Sequence, residues 1–423
     1  METIKNILLS ITNLPSYVFV LFTFLLLGII FKVEIKKAIV CSITIGAGVL
    51  AITTITQMMV DFVSPVGISL ANNSVGLSND LIDIGPYAVL SAIVSLPFFV
   101  LVYPLCLILN IFLIIIKWTK TINVDFMDLF AVLIPFIPVW ILTKNAILVI
   151  VLAMIYYAFC LKAADITAPY YQQYYGLEKI SITQPHNAFQ RVFTLVIDWL
   201  IDKIPFVRNI NFNLDTIQQK FGLLGNPIVL TSIIGIAMGL ISKLSIGESL
   251  GIGVALATSA LLSPKAVGLV IEGIKPISEK MEIIIKNKLD ISNVNIGMNS
   301  NILVGYNDSI TIGTIMMLID ALLYFVLPGI RIIPTSLAVV NAGMFLPLCG
   351  KKGEKGNAFR AIIADVIYLT MILYMINTVA PVVSDFCMSS GIVVSEGTKV
   401  TASVFGHPVT YLATVITQFL TNK

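Results

Sequence analysis

The chain has 423 residues, of which 57% are hydrophobic and only 12% charged, and its mean hydropathy is +0.97. A soluble domain usually carries about 25% charged residues, so this composition excludes an ordinary soluble protein and indicates a membrane protein. The net charge of +3 is too small to indicate a nucleic-acid partner.

Apolar runs predict about 11 transmembrane helices, because roughly 20 apolar residues are long enough to cross the hydrocarbon core. The fold class predicted is therefore an all-α polytopic membrane protein with re-entrant elements. Pro97 and Pro104 predict a kinked or broken helix in the longest run. The first run lacks a small-residue cleavage site and is expected to remain as a span. The runs lie at 15–31, 38–60, 87–116, 129–143, 146–161, 222–242, 249–271, 302–328, 335–349, 358–380 and 400–420.

The distribution of basic residues predicts the orientation of the spans. Lys32, Lys36 and Lys37 follow the first span, which indicates a cytoplasmic loop and an external N-terminus. Residues 38–116 contain neither Lys nor Arg, as expected for an external loop between the second and third spans. In the second half, lysines fill the equivalent loop. This reversal predicts two inverted five-helix repeats and a cytoplasmic C-terminus.

A weak internal similarity supports the duplication. Asp61 lies four residues before Pro65 at the end of an apolar run, and Glu272 lies four before Pro276. The predicted segments are a first repeat, a cytoplasmic linker, a second repeat and a C-terminal transmembrane helix, at 1–161, 162–221, 222–380 and 381–423. Inverted-repeat transporters bind substrate where broken helices from the two halves meet.

The linker contains an amphipathic segment, 189–204. Its apolar residues recur at helical spacing, while Arg191, Asp198 and Asp202 fall elsewhere on the helix. The pattern predicts a helix lying in the membrane interface, or equally a helix packed on the cytoplasmic side of the protein.

Motifs for autonomous catalysis are missing from the sequence. It has no P-loop, no His-Glu-x-x-His and no Gly-x-Ser-x-Gly, and only two histidines. Five scattered cysteines without a Cys-x-x-Cys pair predict reduced core residues. We therefore expect no catalytic residue, no metal site and no cofactor.

Two polar segments stand out among the apolar runs. Asp83, in Leu-Ile-Asp-Ile-Gly-Pro, is interpreted as a carboxylate that accepts hydrogen bonds from substrate hydroxyls, or as a helix cap before Pro86. Asn123 and Asp125, in Asn-Val-Asp, form either a polyol-binding turn or a capping turn before the next span.

A third segment, Gln184-Pro-His-Asn187, precedes the amphipathic helix. His186 and Asn187 supply the paired donors and acceptors that a neutral polyol requires. The alternative is a helix start with Asn187 as its cap. Four residues of the second repeat are weaker candidates for its half of the site, or alternatively loop residues and caps: Asn299, Asn301, Asn307 and Asp308. His407 favours a capping role, and Lys265 is expected to extend to the membrane surface.

Three segments carry a resemblance to a known family. They are Thr121-Ile-Asn-Val-Asp-Phe126, Gln184-Pro-His186 and Ile197-Asp-Trp-Leu-Ile-Asp-Lys-Ile-Pro205, the last continuing into Asp215–Pro227. The sequence resembles the galactitol-type IIC subunits of the phosphoenolpyruvate-dependent phosphotransferase system, in the ascorbate–galactitol superfamily. Weaker similarity extends over most of the chain.

The resemblance implies a homodimer in the inner membrane, in which a moving core carries the sugar or polyol across by an elevator-like motion. A cytoplasmic IIB subunit, phosphorylated on cysteine, would phosphorylate the bound sugar, and the IIC subunit itself is not phosphorylated. The implied substrate-binding positions are Asp83, Asn123, Asp125, His186 and Asn187. This chain departs from the family after Gly85 and at His407, so the resemblance leaves the substrate open. The alternative is an ion-coupled secondary transporter of a small polar solute that uses Asp83 or Lys265.

Overall fold

The computed structural model describes residues 15–73, 81–83, 89, 92–93, 96, 98–123, 125–210, 212, 222–289, 294–330, 340–350, 356–388 and 399–422. The described α-helices are α1 (Ser16–Ile30), α2 (Ile35–Asn73), α3 (Phe99–Ile115), α4 (Phe126–Ala131), α5 (Ile137–Thr143), α6 (Ala146–Tyr175), α7 (Pro185–Ile201), α8 (Pro227–Ile241), α9 (Ile246–Leu289), α10 (Asn301–Val304), α11 (Asn307–Val326), α12 (Ala358–Met388) and α13 (Pro408–Thr421). Short 3₁₀ segments occupy Ile134–Phe136, Gly222–Gly225, Val340–Leu348 and Ser403–Phe405.

Within the described residues, four helices are long and apolar enough to cross a membrane: Ile35–Val63, Ala146–Tyr175, Ile246–Met281 and Ala358–Met388. Shorter apolar helices lie at Tyr17–Ile30, Leu101–Ile115, Ile134–Thr143 and Pro227–Ile241. The polytopic helical class is thereby confirmed, and the number of spans stays a prediction. Helix α13, for example, has 14 residues and is about 21 Å long, less than the thickness of the hydrocarbon core.

The long apolar run at 87–116 is not one continuous described helix. Its described helix, α3, begins only at Phe99 and contains Pro104. Pro97 lies outside the described residues.

Two helical hairpins have the same turn. Helix α1 joins α2 through Lys32, and α8 joins α9 through Lys243, each lysine with a positive φ of 55° and 60° respectively. In each turn the next amide donates to a glycine carbonyl: Val33 to Gly28 at 2.8 Å and Leu244 to Gly239 at 3.0 Å. The long helices α2 and α9 pack against each other, which brings the two hairpins together.

Five short strands in the described part of the chain connect its two halves. Strands β2 (Thr121–Asn123), β4 (Asn295–Met298) and β3 (Ile180–Ile182) form a parallel sheet with β4 in the centre. Strands β1 (Leu81–Asp83) and β5 (Lys399–Thr401) form a second parallel pair. Each sheet therefore contains strands from both halves. Hydropathy did not predict these strands, because three or four residues are too few to show an alternating pattern.

The order of elements in the two halves is similar. Among the described residues, a helical hairpin, a strand, further helices, a long helix, a strand and a last helix follow one another twice, ending at α7 and at α13. The first half contains one additional strand, β2, between α3 and α4. The strand after the first hairpin pairs with the strand before α13, and the strand after the second hairpin pairs with the strand before α7. Strand β3 and α7 thus lie within the predicted linker 162–221 but occupy the same places in this order as β5 and α13.

Helix α7 packs against α6, α12 and the Val340–Leu348 segment. Packing against the protein agrees with the second of the two alternatives for the amphipathic helix, and its position on the cytoplasmic side stays a prediction. Its polar residues Asn187, Arg191 and Thr194 are buried, whereas Trp199 and Leu200 are exposed. The polar face is therefore directed into the protein, where it requires polar partners.

The carboxyl end of α7 is fixed to the start of α12 by ion pairs. Arg360 contacts Asp198 through Nη1 at 3.0 Å and Asp202 through Nη2 at 2.8 Å. Asp198 also accepts a hydrogen bond from the amide of Gly350 at 3.0 Å. These contacts hold α7 in a defined orientation.

Most of the apolar interior belongs to two clusters, one around the paired hairpins and one around α3, α5 and α6. The five cysteines are buried thiols, as predicted. The side chain of Lys265 is exposed on α9, and its extension to the membrane surface stays a prediction.

Candidate functional site

Three parallel strands end at the same edge of the first sheet. Asn123 of β2 lies opposite Gly297 of β4, and Ile182 of β3 lies opposite Met298. The residues that follow, Thr183 and Asn299, therefore emerge beside Asn123. In open sheets with parallel strands, ligands bind outside the carboxyl ends of the strands. We refer to the polar side chains at this edge as the strand-end cluster: Asn123, Asp125, Asp128, Thr183, Gln184, Asn187, Asn299 and Ser300.

Asp128 is the central acceptor of the strand-end cluster. It is fully buried, and its Oδ2 accepts a hydrogen bond from Thr183 Oγ1 at 2.8 Å. Its Oδ1 accepts one from Asn299 Nδ2 at 2.8 Å. Burial and the neighbouring Asp125 carboxyl raise the pKa of Asp128, whereas the hydrogen bonds from Thr183 and Asn299 lower it. One carboxyl group thus joins the ends of β3 and β4.

Asp125 has two roles in the strand-end cluster. Its Oδ1 accepts from the backbone amide of Asp128 at 3.2 Å, which caps α4. Its Oδ2 accepts from the amide of Asn299 at 3.3 Å, in the second half of the chain. The capping alternative is therefore confirmed, and the same side chain also contributes to the strand-end cluster. Asn123 Oδ1 accepts from the amide of Asp125 at 3.0 Å and from Thr183 Oγ1 at 3.2 Å.

Asn187 lies in the first turn of α7 and is buried. Its Nδ2 donates to Ser300 Oγ at 2.8 Å and to Gln184 Oε1 at 3.0 Å, and it contacts Met344 Sδ at 3.3 Å. Ser300 Oγ also donates to Gln184 Oε1. The alternative in which Asn187 caps the helix is wrong, because the N-cap is Gln184 and Pro185 is the first helical residue.

His186 and His407 lie side by side, with ring centroids 6.0 Å apart. His407 is buried, and its Nδ1 accepts from the amide of Val409 at 3.1 Å, which caps α13 as favoured from the sequence. Tyr156 Oη donates to the Pro185 carbonyl at 2.6 Å and lies 3.1 Å from His407 Nε2. Because Nδ1 accepts and the Tyr156 hydroxyl already donates to Pro185, His407 is neutral and has its proton on Nε2. This N–H group donates a hydrogen bond to Tyr156 Oη.

Burial lowers the pKa of His186 to about 4. At neutral pH the ring is therefore uncharged and can both donate and accept a hydrogen bond.

Acid is expected to destabilise the protein through His186. Between pH 6.5 and 4 the unfolded chain binds a proton at this position that the folded chain does not, so stability falls as pH falls through this window. Replacing His186 by Gln should remove about 1 to 3 kcal/mol of the loss between pH 7 and pH 4.5. The free energy of unfolding of the detergent-solubilised wild type and variant, measured at several pH values by tryptophan fluorescence, tests this prediction. An identical acid sensitivity in wild type and variant would contradict it.

The five sequence-predicted positions do not all lie in one place. Asn123, Asp125 and Asn187 belong to the strand-end cluster, and His186 precedes Asn187 on α7. Asp83 lies in β1 opposite Thr401, in the second sheet, and its side chain is outside what the structure describes. Substrate binding by these five residues stays a prediction.

Sequence reasoning missed Asp128, Thr183, Ser300 and Arg191. A signal for Arg191 was available, because Asn187, Arg191 and Thr194 follow each other at intervals of four and three residues and so share one helix face. Asp128 gave no comparable signal, since a single acid three residues after Asp125 is typical of a first helical turn.

The strand-end cluster presents hydroxyl, amide and carboxyl groups from both halves of the chain. This set can hydrogen-bond a polyhydroxylated molecule. Across the described ranges, no group of three or more His, Cys, Asp or Glu side chains could hold a metal ion.

Comparison with known proteins gives a consistent family assignment. The family model EIIC-GAT, described as the sugar-specific permease component of the PTS system, matches residues 10–398. The chain is 26% identical over 385 residues to a putative permease IIC component of Escherichia coli strain K12, covering 90% of this chain and 86% of that protein. It is 23% identical over 375 residues to the PTS system galactitol-specific EIIC components of E. coli K12 and O157:H7, covering 87% of this chain and 81% of each.

Proposed function

Because the chain belongs to the EIIC-GAT family of PTS sugar-specific permease components, we propose that it binds galactitol or a related polyol or sugar and translocates it for phosphorylation by a IIB partner. The family and the apolar helices make it a multi-pass protein of the inner membrane. Galactitol enters this proposal because two relatives are named for it.

The observation that carries the proposal is the strand-end cluster. Asp125 and Asp128 from the first half hold the amide and the side chain of Asn299 from the second half. Asn187 likewise reaches Ser300. Polar groups from both halves thus meet at one place, as expected of a binding site in a transporter built from repeats.

Individual residues can be assigned roles within this proposal. Asn123, Asp125 and Asn187 provide amide and carboxylate groups for substrate hydroxyls, and the neutral His186 ring adds a donor and an acceptor. Asp83 contributes a further carboxylate from the second sheet. Among the residues that sequence reasoning missed, Thr183 and Asp128 hold Asn123 and Asp125 in position, and Ser300 holds Asn187.

The duplicated order of elements supports two repeats. The two hairpins share a turn with Lys32 and Lys243 in the same conformation, and strand pairing is exchanged reciprocally between the halves. We place α7 and α13 in equivalent positions, which extends the first repeat into the segment 162–221. Reversed charge bias favours opposite orientations of the two repeats, with the N-terminus outside and the C-terminus in the cytoplasm.

Transport within this proposal is an elevator-like movement of the site in a homodimer. The paired hairpins α1–α2 and α8–α9 are suited to a scaffold, because they pack mainly on each other and expose many apolar side chains. The strand-end cluster lies among other elements, which would form the moving core.

Uptake into vesicles tests the proposal. Proteoliposomes containing the full chain and loaded with the phosphorylated IIB partner are expected to accumulate phosphorylated galactitol or a related sugar, and vesicles loaded with unphosphorylated IIB should not. Solute accumulation driven by a proton or sodium gradient without IIB would contradict it and favour the ion-coupled transporter.

A further inference from the structure

Arg191 is a buried cation without full compensation. Its side chain has 0% exposure and lies on the polar face of α7. Nη1 donates to the backbone carbonyl of Gln184 at 3.4 Å, a long hydrogen bond. Nε and Nη2 are buried and have no hydrogen-bond partner within the part of the chain that the structure describes. A guanidinium has five N–H donors, so most of its capacity is unused.

The nearest acidic group of the strand-end cluster does not neutralise this charge directly. Asp128 is close enough to interact electrostatically with Arg191. Neither of its carboxyl oxygens, however, forms a hydrogen bond with Arg191 within the described residues, and both accept from other side chains, those of Thr183 and Asn299. A buried cation without a paired anion is costly, which indicates that an anion supplied from outside the chain compensates it.

Two further donors lie around Arg191. Tyr171 is fully buried on α6 and within range of electrostatic interaction with Arg191, and its hydroxyl has no partner among the described residues. Thr194 follows Arg191 on the same face of α7, and its buried hydroxyl is likewise unpartnered in the described ranges. A planar guanidinium with hydroxyl donors nearby is suited to a carboxylate.

The arginine is connected to the strand-end cluster through Gln184. The carbonyl of Gln184 accepts from Arg191, and its side chain accepts from Asn187 and Ser300. A ligand that reaches both groups needs hydroxyls for the strand-end cluster and one anionic end for the arginine. An aldonate has this form, because it is a polyol with one terminal hydroxymethyl group replaced by a carboxylate.

We propose that the transported solute is a sugar acid and that Arg191 binds its carboxylate. The inference rests on the proposed function as a sugar permease and specifies the chemical class of its substrate. A hexitol offers the strand-end cluster the same hydroxyls but leaves Arg191 without an anion.

Binding to the purified full chain in detergent tests the assignment, with galactonate and galactitol as matched probes. Wild-type protein is expected to bind galactonate at least about tenfold more tightly than galactitol, as judged from ligand-induced thermal stabilisation. Arg191→Gln should weaken galactonate binding at least about tenfold and leave galactitol binding nearly unchanged. Arg191→Lys keeps the positive charge but lacks the planar guanidinium that can donate two parallel hydrogen bonds. Its affinity for galactonate should therefore lie between that of the wild type and that of Arg191→Gln.

Arg360→Gln provides the control. It removes another buried arginine, but one that is paired with Asp198 and Asp202. This variant should lose stability and keep the wild-type ratio of galactonate to galactitol affinity. Galactitol binding and the size-exclusion profile show whether the Arg191 variants have folded.

Three results would overturn the proposal. Equal wild-type affinity for both probes would remove the need for a carboxylate. Equal weakening of both by Arg191→Gln would make the residue structural. If Arg191→Gln weakened the binding of galactitol phosphate and left galactonate and galactitol binding unchanged, Arg191 would be assigned to binding of the phosphoryl group. Failure of phosphorylation-linked uptake for every sugar and sugar acid would instead contradict the proposed function itself.

Discussion

Replacing Asp128 by Ala is expected to lower the free energy of unfolding by about 2 to 4 kcal/mol and to abolish measurable substrate binding. The variant removes the acceptor for Thr183 and for Asn299, both of which project from strand ends at the site. Thr183 keeps its contact with Asn123 Oδ1 at 3.2 Å, but the side-chain amide of Asn299, which is half-buried, loses the carboxyl group to which it donates. The carboxyl ends of β3 and β4 then lose their side-chain connection and keep the backbone hydrogen bond from Thr183 to Met298.

Asp165 offers a matched control at the opposite edge of the same sheet. It accepts from Thr121 Oγ1 at 2.8 Å and from the amide of Lys120 at 3.1 Å, at the amino end of β2. Asp165→Ala should therefore lower the stability of the protein by weakening the start of β2, without altering its affinity for substrate. Thermal unfolding followed by tryptophan fluorescence, with and without galactitol or galactonate, compares the two variants. Equal loss of binding in both, or in neither, would contradict a special role for the carboxyl edge.

Gly297→Ala is expected to separate the strands of the central sheet. Gly297 is in the middle of β4, opposite Asn123 on one side and Ser181 on the other. A Cβ atom here would lie 2.5 Å from Thr183 Cγ2 and 3.0 Å from Asn123 Cα. Because one of these contacts is to the backbone, side-chain rotation alone cannot relieve it. We expect a loss of about 3 kcal/mol or more in stability, together with loss of binding.

Gly268→Ala is the control for this substitution. Gly268 lies within α9, and no atom lies within 4 Å of the position a Cβ would occupy. The change should be neutral or slightly stabilising, because alanine favours the helix. Unfolding temperatures and yields of monodisperse protein measure both variants. A Gly297→Ala protein as stable as wild type would show that the strands are not closely packed at this point.

Hydropathy and residue identity predicted the structure best where an apolar run or a helical spacing extended over many residues. Runs of apolar residues gave α6 and α12, and helical spacing in 189–204 gave α7. The order of charged residues suggested a duplication, which stays a prediction. The segments Asn123-Val-Asp125 and Gln184–Asn187 were singled out because polar residues are expensive between apolar helices, and both lie in the strand-end cluster.

The membrane class, the family resemblance and part of the candidate site were thus determined by the sequence itself, because burial in lipid constrains composition over every span. The tertiary structure alone decided which distant residues meet. Asp128 and Asn299 are 171 positions apart and became partners only through the parallel pairing of β2, β3 and β4. From the sequence, Arg191 is only one charged residue on a predicted amphipathic helix. Only packing shows that this charge is enclosed, because the face of a helix that is buried depends on the elements around it.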